Sequence, residues 1–334
     1  MQNKRLMAIV GALVILVVGA IAFSSLSSEK GKKGENNAEV AKVGVLQFVT
    51  HEALDEIYRG IQDGLAEEGY KGDKIKIDFM NSEGDQGKIA TMSKQLVSNG
   101  NQVLVGIATP AAQGLATATS DLPVIMGAIT DPVGAKLVAS LEKPGANVTG
   151  VACPQPIAQQ LDLIKKITPT AKKIGVLYSS NEDNSKLNVE KFTELAEKEG
   201  YTVLAYPVPS SNEIASTMAV MTSKVDAIWV PQDNAIASAF KTVVASNKEA
   251  KVPIFPSADT MVKEGGLASV VVSQYGLGVS TGKMTAKILK GAKPADTPVD
   301  VVDQGAPIIN KKVAAELGIK IPEEVEKSAG EIVE

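Results

Sequence analysis

Two halves of this chain repeat one another, and that duplication narrows the possible folds more than any other feature. Lys42-Val43-Gly44-Val45-Leu46 returns as Lys173-Ile174-Gly175-Val176-Leu177, and a Gly-Tyr pair follows at the same interval in each copy, Gly69-Tyr70 and Gly200-Tyr201. Leu122-Pro123-Val124-Ile125 and Val252-Pro253-Ile254-Phe255 fall at nearly equivalent places. Three matches in register, at a period of about 130 residues, are too widely spaced for a solenoid and suit a duplicated domain. A chain of 334 residues, 44% hydrophobic and 22% charged, holds enough apolar material for two ordinary cores.

Each half alternates short apolar runs with helical periodicity. Residues 43–48 suit a buried parallel strand, and Leu54, Ile57, Ile61 and Leu65 then share one helical face up to Gly69. The pattern continues as strand 74–80, helix 86–98, strand 102–107, a small-residue helix 109–119 and strand 124–128. The second half predicts strand 174–178, helix 184–199, strand 202–207, helix 214–222, strand 227–230, helix 235–246 and strand 254–256. A further strand 268–273, a helix 277–289 and extended pieces at 299–302 and 307–310 follow. This order predicts an α/β fold: two Rossmann-like lobes with parallel sheets and helices on both faces. The tail has enough elements to cross back between lobes more than once.

Residues 1–23 read as an export signal. Lys4 and Arg5 precede an unbroken apolar or small stretch, and Ala20-Ile21-Ala22 has the A-x-A cleavage pattern. The apolar stretch falls between a long signal core and a short membrane span, so cleavage and retention as an N-terminal anchor are both open. Residues 24–40, rich in Ser, Lys, Gly, Glu and Asn, suit a flexible tether. The lone Cys153 rules out an internal disulfide, and its distance from the leader excludes lipidation there; it is expected as a small buried hydrophobe. Formal charge is −4, or −6 without Lys4 and Arg5, with no basic patch of the kind that meets nucleic acid.

In open parallel α/β sheets, ligands gather beyond the carboxyl ends of the strands. The residues there are Gln47, Phe48, Thr50, Thr109, Ala111, Ala112, Thr130 and Asp131 in the first half. In the second they are Ser179, Asn181, Asp233, Asn234 and Ser257. Thr109-Pro110 before small residues predicts a helix start with Thr109 as N-cap and free N–H groups from Ala111 and Ala112, a site suited to a carboxylate. Asp131 and Asp233 are the acids placed to meet a cation, although Asp131-Pro132 is also ordinary turn chemistry. Phe48 suits either a ligand wall or core packing. His51, the only His, is expected at a helix edge, and without a second His or a Cys partner it makes no metal site. Nucleophile-elbow, P-loop and dinucleotide motifs are all missing, so binding without catalysis and without a cofactor is expected.

The strand-end segments Gln47-Phe48-Val49-Thr50-His51-Glu52-Ala53-Leu54-Asp55, Ala108-Thr109-Pro110-Ala111-Ala112-Gln113, Thr130-Asp131-Pro132, Asn147-Val148-Thr149-Gly150-Val151, Tyr178-Ser179-Ser180-Asn181-Glu182 and Pro231-Gln232-Asp233-Asn234 together resemble the substrate-binding proteins of bacterial ABC importers. Within them the chain resembles the TrpX-type, aromatic amino-acid-binding branch. The resemblance implies a type I periplasmic-binding-protein fold with three hinge crossovers, near 152–156, 273–276 and 303–306. Lobe one would be 41–152 plus 276–303, and lobe two 153–275 plus 304–334. It implies a monomer outside the cytoplasm that closes on an amino acid, aromatic or otherwise hydrophobic, and delivers it to ABC permease subunits. Thr109, Ala111 and Ala112 would take the α-carboxylate and Asp233 the α-ammonium. Pro256-Ser257-Ala258-Asp259 and Ser273-Gln274-Tyr275 depart from the more acidic or Asp-Tyr sequences of the branch, as does the lack of a lipidation Cys. The alternatives are a sensor coupled to a membrane receptor, a different small polar metabolite, and an exported enzyme on a related two-lobed fold.

Overall fold

The first apolar run forms β1 (Ala41–Gln47), buried at every residue but Lys42, in a computed structural model that describes residues 40–334. The leader and the tether up to Glu39 lie outside the described residues. After β1, α1 (Glu52–Glu67) turns Leu54, Ile57, Ile61 and Leu65 inward, as its periodicity requires. β2 (Ile75–Asn81), α2 (Gln86–Ser98), β3 (Val103–Ile107), α3 (Thr109–Ala118), β4 (Val124–Ile129) and β5 (Val148–Ala152) follow. The second half runs α4 (Ile157–Ile167), β6 (Lys173–Ser179), α5 (Asp183–Lys198), β7 (Thr202–Val208), α6 (Ile214–Met221) and β8 (Ala227–Val230). Then come α7 (Asn234–Ser238), α8 (Phe240–Asn247), β9 (Ile254–Pro256), α9 (Asp259–Lys263) and β10 (Ala268–Val271). The tail comprises α10 (Gln274–Leu289), β11 (Asp300–Val301), β12 (Ala306–Asn310), α11 (Lys311–Leu317), α12 (Glu323–Ser328) and β13 (Glu331–Val333).

The duplication is visible in strand order. One parallel sheet reads β11-β5-β4-β3-β1-β2 and the other β7-β6-β8-β9, so β4-β3-β1-β2 in the first matches β9-β8-β6-β7 in the second. In each, the first strand lies between the second and third, the reversal of winding that opens a crevice at the strand ends. The first sheet gains β5 and β11 beyond the four strands predicted for that half, while β10, β12 and β13 form a small mixed sheet of their own. Residues 235–246, predicted as one helix, are two. Ala239 (φ −123°, ψ 24°) breaks the run between α7 and α8, and Phe240 beyond it is buried in the second lobe's core.

The chain leaves the first sheet for the second half after β5, returns to it from the small mixed sheet after β10, and leaves it again for that small sheet after β11. Val151, Cys153, Val272 and Leu277 make a separate apolar cluster with Val302 packed against it, so all three passages contribute to one small core. Cys153 is buried there, and burial pushes its thiol up to about 12. The second passage leads into α10, which lies along α1. A Cβ on Gly60 would stand 2.3 Å from the Tyr275 carbonyl oxygen, and one on Gly278 2.1 Å from that of Ile57. Only hydrogen at these positions lets the two backbones touch.

Candidate functional site

Residues just beyond β1, β3 and β4 meet residues just beyond β6, β8 and β9 around a single cleft, whose free space, mouth included, is about 450 Å³. Part of its lining is apolar, Ala53, Leu54 and Ile57 of α1 with Ala128, Ala237 and Met261, and part is polar, with His51, Thr109, Thr130, Asn184, Asp233, Asn234 and Gln274. Two of its alanines hold backbone conformations that L-residues rarely adopt. Ala108 has φ 76° and ψ 156°, and Ala128 has φ 61°. Each such residue costs about 1–3 kcal/mol unless its surroundings enforce it. Around Ala128 the pairing of β4 with β5 shifts register between Met126 and Ile129, a bulge at the cleft.

The start of α3 corrects one expectation. Ala108, not Thr109, is the N-cap, and Thr109 and Pro110 are the first helical residues. The Ala112 N–H donates to the Ala108 carbonyl at 3.1 Å, so that donor is consumed. Thr109 and Ala111 carry the N–H groups of the first turn that have no helical acceptor. Thr109 is a buried residue of the cleft wall, whereas Ala111 and Ala112 pack in the core beneath it.

On the opposite side, Asp233 caps α7. Its Oδ1 accepts the Ile236 N–H at 2.9 Å and its Oδ2 accepts the Ser179 N–H at 2.5 Å. Glu182, also buried, accepts the N–H groups of Asn234 and Ala235 and the Asn234 side-chain amide. Burial raises the affinity of both carboxyls for a proton, and their mutual repulsion raises that of Glu182 further. The cleft therefore has one acid, Asp233, in its lining and a second, Glu182, just behind it.

Several polar contacts join the lobes across the cleft. His51 Nε2 lies 3.2 Å from Asn234 Oδ1, Asn188 Nδ2 donates to Thr130 Oγ1 at 3.1 Å, and Gln113 Nε2 donates to Asp183 at 3.3 Å. Gln86 donates to the Asn181 carbonyl at 3.3 Å. Lys191 pairs with Asp131 at 2.7 Å, so the acid expected to meet a ligand cation already holds one. Burial of Asp131 works against ionisation, but Lys191 and the Gly134 N–H overcome it and hold the carboxyl below its usual range. Burial lowers the pKa of His51 to about 4 despite the opposing pull of Asn234 and Asp55.

Of the residues the sequence singled out, the cleft brings together Thr109, Thr130, Asp233 and Asn234. Phe48 packs in the first lobe's core, Gln47 bonds Asp55 and the Val49 carbonyl, and Thr50 is exposed and bonded by Asn81. Ser179 and Asn181 hold the turn after β6, and Ser257 bonds the buried Gln160 that also takes the Trp229 indole N–H. His51, Asn184, Gln232 and Gln274 line the cleft without having been read as ligand contacts. Asn184 lies three residues past Asn181, where the strand-end rule stopped short because α5 begins before the chain leaves the site. Among the described residues no group of acids, His and Cys is arranged for a metal, and no helix is long and apolar enough to cross a membrane.

Comparison with known proteins follows the same layout. The family described as ABC transporter substrate binding protein matches residues 42–333. A tyrosine-binding protein of Clostridioides difficile is 36% identical over 309 residues, 90% of each chain. A solved ABC domain from Streptococcus pneumoniae in complex with L-Trp is 68% identical, with a TM-score of 0.87 over 88% of this chain and 99% of that one. The ligand-free, open structure of a substrate binding protein with adhesive properties from Clostridium difficile is 34% identical, with a TM-score of 0.67 over 88% of this chain and 99% of that one.

Proposed function

This chain belongs to the ABC transporter substrate-binding protein family and has its α/β fold of type I periplasmic binding proteins, and from that premise we propose that it captures an aromatic amino acid in the interlobe cleft and hands it to an ABC permease. The observation that carries this reading is that residues of both halves line one cleft with apolar side chains, Leu54, Ile57 and Met261 among them, beside the polar side chains of Thr109, Thr130, Asn184 and Asn234. An aromatic side chain fits against Leu54, Ile57 and Met261, where burial of ring area is favourable. The carboxylate then meets Thr109 and the first-turn N–H groups of α3, where orphan donors and the positive end of the helix coincide. The ammonium faces the second-half side of the lining, where Asp233 lies and Glu182 stands behind it.

In this reading the lobes, 41–152 plus 276–303 and 153–275 plus 304–334, hinge at the three chain passages. Ligand bridging both walls selects the closed form. The molecule acts as an extracytoplasmic monomer exported by residues 1–23. The 68% identity to a chain solved with L-Trp supports tryptophan first, and the tyrosine-binding relative supports tyrosine next.

The test is thermal denaturation of residues 38–334, refolded to remove carried-over ligand, against the twenty amino acids, sugars and nucleosides. L-Trp or L-Tyr at a hundredfold excess over Kd stabilises by about 2.7 kcal/mol, a rise of several degrees. A shift with sugars alone removes the amino-acid assignment.

A further inference from the structure

We infer that Asn184 is the direct acceptor for the ligand's α-ammonium, held in place by Glu182; this deepens the amino-acid reading of the cleft and rests on it. Asn184 lines the cleft, is only 4% exposed, and its Oδ1 is buried with no hydrogen-bond partner among the described residues. Its Nδ2 donates to the Gln232 carbonyl at 2.9 Å and to Glu182 Oε2 at 3.3 Å. Both partners are acceptors, so the amide nitrogen must face them and the carbonyl oxygen must face away. A buried amide oxygen without a donor is unfavourable in the empty protein. A ligand that brings N–H donors to it removes that penalty.

The same carboxylate orients a second amide. Glu182 accepts the Asn234 Nδ2–H, which turns Asn234 Oδ1 into the cleft, where it meets His51. Of these two oxygens, Asn234 Oδ1 is satisfied by the protein and Asn184 Oδ1 is not. Asp233, the acid the sequence favoured for this role, has both oxygens engaged by backbone N–H groups. Glu182 stands behind these amides and Asp233 beside them in the lining, while the atom that touches the cation is a neutral amide oxygen. Such an arrangement selects a compact N–H donor carrying positive charge and rejects the same molecule without it. Glu182 is a positioning residue, acting through Asn184 and Asn234.

The test pairs L-tryptophan with 3-indolepropionate, which keeps the ring and carboxylate and lacks the amine. Affinities are measured by calorimetry, or by competition against L-tryptophan up to millimolar concentration for the weaker ligand. Asn184→Ala weakens L-tryptophan by at least about tenfold, the range for a hydrogen bond to a charged group, and changes 3-indolepropionate by less than about threefold. Equal weakening of both ligands, or unchanged L-tryptophan affinity, overturns the assignment. If the alanine variant melts early without ligand, Asn184→Leu, close to Asn in volume and without an acceptor, is read in the same way. Glu182→Gln is expected to weaken L-tryptophan selectively as well. Failure of the wild-type chain to bind L-tryptophan, L-tyrosine or any other amino acid sinks the underlying amino-acid reading instead, and is seen before any variant is made.

Discussion

His51 shows how a single side chain can link the cleft to pH. It sits at the start of α1, and its ring meets Asn234 of the other lobe while Asp55 lies on its own helix. Burial lowers its pKa from 6.5 to about 4, so the folded form holds it neutral. The unfolded chain binds the proton below pH 6.5, so stability is lost as pH falls from about 6.5 toward 4, by up to about 3 kcal/mol. The Glu182 and Asp233 pair has the opposite sign. Their raised pKa values make the folded form bind more protons, so their contribution declines as pH rises above the ordinary carboxylate range. Between about pH 4 and 6.5 the two contributions therefore oppose one another. His51→Gln is expected to remove the share of the acid-side loss that His51 causes, so that melting temperature in that variant falls more steeply as pH rises. An unchanged acidic limb in that variant would assign the loss to other groups. From sequence, His51 had no visible partner, because Asn234 lies 183 residues away and only folding brings it near.

The elements themselves were largely legible, since strand and helix periods are local properties of the chain. β1, α1, β3 and their counterparts in the second half follow directly from where apolar residues recur. The failures also have local causes. β5 was not read as a strand because Thr149 and Gly150 interrupt its apolar run, whereas β11 falls within the extended piece expected at 299–302. The association of α1 with α10 is of another kind. Gly60 and Gly64 on one helix and Gly278 and Gly282 on the other permit backbone contact between segments more than 200 residues apart. A Cβ at Gly282 would stand 2.4 Å from the Ile61 carbonyl oxygen, and backbone cannot yield as a flexible side chain can. Gly282→Ala is expected to destabilise the protein by about 1–3 kcal/mol, read from the urea midpoint. A midpoint equal to wild type would mean that the helices are not so closely apposed in solution.

At the scale of the molecule, each lobe has its own core and a handful of polar contacts bridge the cleft, so the proposed closure is a balance between the two. Half-exposed Lys191 and its partner Asp131 form one such bridge, worth no more than about 1 kcal/mol given its solvent access. Lys191→Ala is therefore expected to shift the ligand-free protein toward opening and to weaken ligand by less than about fivefold. Small-angle scattering should show a larger radius of gyration without ligand and a contraction on its addition. Identical scattering with and without a bound ligand would argue against hinge closure. The sequence by itself determined the duplication, the two α/β lobes and the strand ends as the place for a site, because these follow from composition and period along the chain. Only the tertiary structure decided which strand-end residues face the cleft. Asp233 turned out to cap a helix, Asp131 to pair with Lys191, and Asn184 to keep a free oxygen, because each outcome depends on which donor another segment brings within 3 Å or so.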